Sequence, residues 1–205
     1  MSGYLVLEGP DGCGKSSQAQ ALCEWLRQQG RKVLHVREPG STPVGEALRR
    51  LLLARATGEL RPVTEALLFM AARAELVTQV IAPALDGGAV VVAERCYLST
   101  VVYQGLAAQP GLDVDWLFDL TRRVHGARLP DAIFVLDVSE QVAVARRSSR
   151  ADDRFEARPA AFHARVRQGF AAAAAREPRA HLVDAGAAFD RVQAELRALS
   201  ARVLG

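Results

Sequence analysis

A chain of 205 residues, half of them hydrophobic and 24% charged, has the length of one domain and the composition of a globular protein with a sizeable core. No uninterrupted apolar run reaches the roughly 18 residues of a membrane span, and the N-terminal MSGYLVLEGPDG has neither the basic start nor the cleavage site of a signal peptide. The formal charge of +3 could suit nucleic acid, but all the basic residues except Lys15 and Lys32 are Arg, spread along the whole chain, which marks a compositional bias and no nucleic-acid surface.

Taken in order, short apolar runs alternate with longer helical patterns. The runs at 4–8 (YLVLE), 32–37 (KVLHVR), 89–94 (AVVVAE), 132–138 (AIFVLDV) and 180–185 (AHLVDA) read as strands. Most are nearly continuous in Val, Leu, Ile or Ala, as in strands covered on both faces. Amphipathic stretches at 15–29, 43–55, 64–85, 98–107, 114–126, 140–149, 159–176 and 188–204 read as helices. Gly30 suits a helix stop, and Pro43 and Pro159 suit helix starts. The alternation predicts one α/β domain: a five-stranded parallel sheet with right-handed crossovers and helices on both faces. Ligands of such sheets bind beyond the carboxyl ends of the strands. Cys13, Cys23 and Cys96 have no metal-site spacing and read as free thiols of a reducing compartment. A cytoplasmic protein is expected, with no membrane partner.

The first strand runs into Gly9-Pro10-Asp11-Gly12-Cys13-Gly14-Lys15-Ser16, followed by Ser17, which matches G-x-x-x-x-G-K-[ST]. Glycines allow backbone angles that turn successive N–H groups onto one anion, aided by the positive end of the following helix. Lys15 then reaches the β- and γ-phosphates of a nucleoside triphosphate, and the Ser16 hydroxyl is placed to ligate Mg²⁺. A GTPase switch, an ATP-driven motor and a small-molecule kinase are all compatible with this loop alone. No NKxD-type guanine motif occurs in the chain.

The third strand ends in Glu94-Arg95. An acid at that place is expected to face the metal, and an adjacent arginine can grip a phosphate with two parallel hydrogen bonds. The segment ARRSSRADDRFEAR (145–158) holds five arginines: Arg146, Arg147, Arg150, Arg154 and Arg158. It reads either as a solvated charged loop or as a lid, over about 146–158, whose arginines neutralise a transferred phosphoryl group and exclude water.

These pieces, with REPGSTPVGEALRRLLL (37–53), TEALLFMAARAELV (64–77), ERCYLSTVVYQG (94–105), LPDAIFVLDV (129–138) and RADDRFE (150–156), make the chain resemble the bacterial thymidylate kinases along nearly its whole length. The resemblance implies a P-loop NTPase fold and transfer of a phosphoryl group from ATP to thymidine monophosphate with Mg²⁺. A kinase of another nucleoside monophosphate is the alternative. By the same resemblance Phe69 would stack on thymine and Arg73 would bond its edge. Thr100 and Gln104 would contact the base, Tyr103 would pack on the deoxyribose, and Ser99 would line the sugar and base. Arg49 and Arg95 would hold the acceptor phosphate, and Glu38 would lie near it and the metal. Asp11 would accept a hydrogen bond from the 3′-hydroxyl and help place the arginines. The catalytic arginines implied are Arg95 and, from the lid, Arg150, Arg147 and Arg154; a homodimer is implied as well. Two departures stand out: Glu94 where the family has Asp, and Thr100 where it has a second Ser.

Overall fold

The computed structural model describes residues 2–147 and 153–205. All five expected strands form: β1 (Gly3–Glu8), β2 (Val33–Arg37), β3 (Val90–Glu94), β4 (Ala132–Asp137) and β5 (Ala180–Asp184). They make one parallel sheet in the order β2-β3-β1-β4-β5. β1 therefore lies at the centre, paired with β3 on one side and β4 on the other.

Side chains alternate across the two faces, as a pleated strand requires. Tyr4 and Val6 of β1, Val91 and Ala93 of β3, and Ile133 and Val135 of β4 enter one apolar core. Leu5 and Leu7, Val90 and Val92, and Ala132, Phe134 and Leu136 enter the other. Each of these side chains is fully buried, which explains why the strands read as unbroken apolar runs. Helices α1 (Lys15–Gln28) and α9 (Phe189–Leu204) cover the second face through Leu22, Leu26, Val192 and Leu196. The first face is covered by α3 (Pro62–Leu76), α5 (Tyr97–Thr100) and α8 (Ala160–Arg176). Helices α2 (Pro43–Leu53), α6 (Val114–His125) and α7 (Glu140–Arg147) complete the layers.

Helix ends follow the local chemistry. Pro43 opens α2, and the Thr42 hydroxyl accepts the Gly45 N–H at 2.9 Å, a side-chain cap. Gly30 closes the first crossover with φ at 75°. The expected helix 64–85 is longer and less regular than its sequence suggests. From α3 the chain passes through a π-helical turn, Val77–Ile81, into α4 (Ala82–Asp86). A second π turn, Val101–Leu106, extends α5. Neither turn is legible from periodicity, because an extra residue per turn leaves the apolar pattern readable.

Helix Pro62–Asp86 is long and apolar enough to cross a membrane by composition. Part of it packs inward: Leu76, Val77 and Ile81 enter the first core, and Arg73 is buried in an ion pair with Glu38.

A buried titratable group lies behind α5. His125 is 2% exposed, with Nδ1 at 3.1 Å from the Thr121 carbonyl and Nε2 at 3.4 Å from Cys96 Sγ. Nδ1–H donates to the carbonyl, so Nε2 accepts from the thiol. Burial, with the Arg73 charge, pushes the His125 pKa down to about 3. A base depressed in the folded state stabilises the fold above its unfolded value, and that stability is lost as pH falls from there toward about 3. The slope is about 1.4 kcal/mol per pH unit below pH 6.5. In urea unfolding, the loss between pH 7 and pH 5 is therefore expected to be about 2 kcal/mol smaller in His125→Gln than in the parent. Equal losses in the two proteins would refute this account.

Candidate active site

One cleft of about 660 Å³ opens at the carboxyl ends of β1, β2 and β3. Its lining includes Asp11, Gly12, Gly14, Lys15, Ser16 and Ser17 from the glycine loop, and Glu94 and Arg95 from the end of β3. It also includes Glu38, Arg49, Phe69, Arg73, Ser99, Thr100, Tyr103 and Gln104. The donor-side and acceptor-side residues expected from the sequence thus share a single cavity, because β1 and β3 are adjacent and parallel.

The loop's shape needs its glycines. Gly12 and Gly14 have φ of 85° and 94°, angles that other L-residues rarely adopt. A Cβ on Gly12 would also lie 2.3 Å from the Ala143 carbonyl oxygen of α7. Gly9, Pro10 and Cys13 shape the loop without lining the cleft. Lys15 Nζ donates to the Gly9 and Pro10 carbonyls at 2.9 and 2.8 Å, and Cys13 is buried in the second core. The ammonium therefore stays inside its own loop, 8% exposed.

Ser16 Oγ donates to Glu94 Oε2, and His35 Nε2 lies 3.0 Å from Glu94 Oε1. Burial raises the Glu94 pKa, but the bonds from His35 and Ser16 and the nearby positive charge outweigh it and hold the carboxyl below the usual range. A hydroxyl and an ionised carboxylate side by side are hard oxygen donors of the kind Mg²⁺ accepts beside substrate phosphates and water. Among the described residues there is no group of three His, Cys, Asp or Glu that could hold a metal by itself. The pair fits a cation that arrives with a nucleotide better than a fully protein-bound one.

Arg95 sits at φ 66°, in the left-handed region, which is costly for a residue with a side chain. Glu8 holds it there. This carboxylate is fully buried at the end of β1. Its Oε1 accepts the Cys96 and Ser99 amides at 2.8 and 2.9 Å, and its Oε2 accepts the Ser99 hydroxyl at 2.6 Å. The turn so fixed swings the Arg95 guanidinium back to the glycine loop. Nη2 pairs with Asp11, and Nη1 donates to Ser99 Oγ at 3.1 Å and the Gly9 carbonyl at 3.3 Å. Burial opposes the Arg95 charge, but the Asp11 carboxylate outweighs it and raises the pKa further, so the guanidinium is a permanent cation. Asp11 also accepts the Tyr103 hydroxyl at 2.9 Å. Asp11 thus bridges the arginine and the tyrosine of the acceptor side.

Deeper in the cleft, Arg73 is 1% exposed and donates through Nε to Glu38 at 2.6 Å and through Nη2 to Thr100 Oγ1 at 3.3 Å. Burial raises the Glu38 pKa despite Arg73. The rings of Phe69 and Tyr103 each lie 5.9 Å from the ring of Phe155, which also lines the cleft. Arg49 lines the cleft with Nη1 on the Pro39 carbonyl at 3.1 Å, and the neighbouring Arg37 and Arg95 add to the cationic character of this wall.

The arginine-rich segment is described in part. Arg150 lies outside the described residues, as does the side chain of Arg147. Arg154 is not among the residues that line the cleft. Its guanidinium is taken by a buried acid, Glu65, at 2.7 Å and by the Leu52 carbonyl at 2.8 Å. Arg146, near the end of α7, does line the cleft, donating to the Ala185 carbonyl at 3.1 Å. The sequence alone assigned no role to Glu8, His35, Glu65 or Phe155. A carboxylate at the end of a central strand was a usable signal for Glu8. Glu65 and Phe155 lay inside stretches already singled out, and only their partners reveal what they do.

A parallel sheet of this order, with the phosphate loop after its central strand and an acid at the end of the adjoining one, defines a P-loop nucleotide-binding fold. The family model for thymidylate kinase matches residues 7–196. Similar proteins named thymidylate kinase include one of Symbiobacterium thermophilum, 42% identical over 205 residues, covering 100% of this chain and 95% of that protein. That of Thermomicrobium roseum is 48% identical over 189 residues, covering 90% and 88% respectively. That of Clavibacter sepedonicus is 43% identical over 198 residues, covering 95% and 92%. The chain belongs to the thymidylate kinase family.

Proposed function

We propose that this chain transfers the γ-phosphoryl group of ATP to thymidine monophosphate, giving ADP and thymidine diphosphate for thymidine triphosphate synthesis. The observation that carries this reading is the shared cleft, with a phosphate loop at one end and Phe69, Arg73 and Gln104 at the other. Two nucleotides can lie there with their phosphates meeting between Lys15 and Arg95.

The chemistry asks little covalent work of the protein, since an acceptor phosphate oxygen is already a nucleophile. The chain's task is to align the reactants, exclude water and neutralise charge. The backbone of Gly12 to Ser17 cradles the donor phosphates, and Lys15 supplies positive charge at the transferring group. Arg95 and Arg49 hold the acceptor phosphate in line. Asp11 keeps Arg95 aimed and offers an oxygen to the sugar 3′-hydroxyl. Phe69 stacks on the base, Arg73 and Thr100 bond its edge, and Ser99 and Tyr103 bound the sugar. Glu38 fixes Arg73 and lies beside the acceptor phosphate. Ser16 and Glu94 would hold a Mg²⁺ arriving with ATP, which would supply charge neutralisation at the β- and γ-phosphates. In this reading Arg146, which lines the cleft, adds charge at the donor end together with Arg147 and Arg150.

An ADP-release assay across all ribo- and deoxynucleoside monophosphates tests the substrate. Thymidine monophosphate is expected to give the highest kcat/KM; a purine or cytidine monophosphate in that place would overturn the assignment. Two features of the chain's setting belong to the same proposal. Free, buried Cys13, Cys23 and Cys96 suit the reducing cytoplasm. Exposed Val44, Leu51, Val63 and Leu67 on α2 and α3 suit an apolar face that pairs two copies, and a monomeric mass in sedimentation would remove the dimer.

A further inference from the structure

Resting on the reading above, we propose that Glu65 is a positioning residue that sets base specificity by fixing which end of the Gln104 amide faces the base. Glu65 lies on α3, 1% exposed, beneath the acceptor end of the cleft. Its Oε2 accepts from Gln104 Nε2 at 2.8 Å. Its Oε1 is shared by Arg158 Nη2 at 2.9 Å and Arg154 Nη1 at 2.7 Å.

An amide has two different ends, one donating and one accepting. A carboxylate held by two arginines accepts only, so the Gln104 nitrogen must turn to Glu65 and the oxygen must turn the other way. Gln104 is 1% exposed, lines the cleft, and its Oε1 is buried with no hydrogen-bond partner. A buried acceptor without a donor is unfavourable until a ligand supplies one. Thymine and uracil carry a hydrogen on N3; cytosine has a lone pair there. An amide locked with its oxygen outward therefore welcomes the first two and repels the third. Arg73, a donor only, presses the same choice at position 4, where thymine and uracil carry an oxygen and cytosine an amino group. Gln104 by itself could rotate to suit either base; Glu65 removes that freedom.

The same carboxylate ties the base reader to segment 153–158. Arg154 and Arg158 stand 4.6 and 4.8 Å from the Phe155 ring centroid, and that ring packs against Phe69 and Tyr103. Glu65 thus joins the wall that stacks on the base to the amide that reads its edge.

The test compares deoxyuridine and deoxycytidine monophosphates, which differ only at N3 and position 4. The readout is the ratio of their kcat/KM values with ATP saturating, in the parent, Glu65→Ala, Glu65→Gln, Gln104→Leu and Glu65→Ala/Gln104→Leu. Glu65→Ala is expected to shrink the ratio about tenfold, through the acceptor KM with the ATP KM within twofold of the parent, as loss of one hydrogen-bond preference should. Glu65→Gln, which can still accept from Gln104, is expected to fall between. Gln104→Leu is expected to shrink the ratio as much, and the double variant no further. A ratio within twofold of the parent in Glu65→Ala overturns the proposal, whatever happens to overall activity. If Glu65→Ala does not fold, a ratio unchanged in Gln104→Leu overturns it alone. A parent enzyme that phosphorylates no pyrimidine deoxynucleotide refutes instead the function on which this rests.

Discussion

Lys15→Ala is expected to lower kcat by at least about 10²–10³-fold, the cost of removing one preorganised charge from developing negative charge. A charge inside the loop is worth more than one in water, because its surroundings are largely protein. Lys15 is 8% exposed, and its ammonium is held in the loop by the Gly9 and Pro10 carbonyls. The lost bonds are local to the loop and the ammonium packs against no core ring, so the fold should survive. The measurement is ADP release at saturating thymidine monophosphate and ATP, with circular dichroism as the check on folding. A folded variant within tenfold of the parent would remove Lys15 from the chemistry.

Arg95→Ala should cut kcat/KM for thymidine monophosphate by about 10²–10⁴-fold, taking two charge-assisted hydrogen bonds at about 1.5–3 kcal/mol each. The ATP KM should change little, which separates this variant from damage to the loop. Two costs combine in it. The acceptor phosphate loses its fork, and Asp11 loses its closest cation, leaving negative charge where an anion must bind. Arg95→Lys separates them: it keeps a charge near Asp11 but not the paired geometry. It is expected to recover less than half of the lost free energy. Full recovery by lysine would show that Arg95 acts as a point charge and that alignment comes from elsewhere.

The sheet was legible in the sequence because buried parallel strands leave an unmistakable mark: short apolar runs, all five of which formed. The loop was legible because phosphate binding constrains consecutive residues. The acceptor side was legible only through resemblance, since Phe69, Arg73 and Gln104 become one site by the packing of α3 against the helical turn after α5. The local pattern of each fits an ordinary buried helix. Glu65 shows the limit most clearly. Its role depends on residues 39, 89 and 93 positions away, and no spacing rule reaches that far. Arg154 shows the converse. An arginine in an arginine-rich segment reads as a phosphate ligand, and only the fold shows its pairing with a buried acid in α3.

Glu8 ends β1, the central strand of the sheet. One carboxylate at the end of the central strand holds the turn that aims Arg95, while the residues just after it form the phosphate loop. In the proposed reading, the distance from the phosphate loop to the Arg95 grip is therefore built into the sheet. Base choice, by contrast, is proposed to reside in α3 and the turn following α5. The protein is thus divided into a fixed transfer gauge and an interchangeable reading head. An engineer seeking a new acceptor base can alter residues 65, 69, 73 and 104 and leave the gauge alone, whereas a change at position 8 should slow transfer to every acceptor alike.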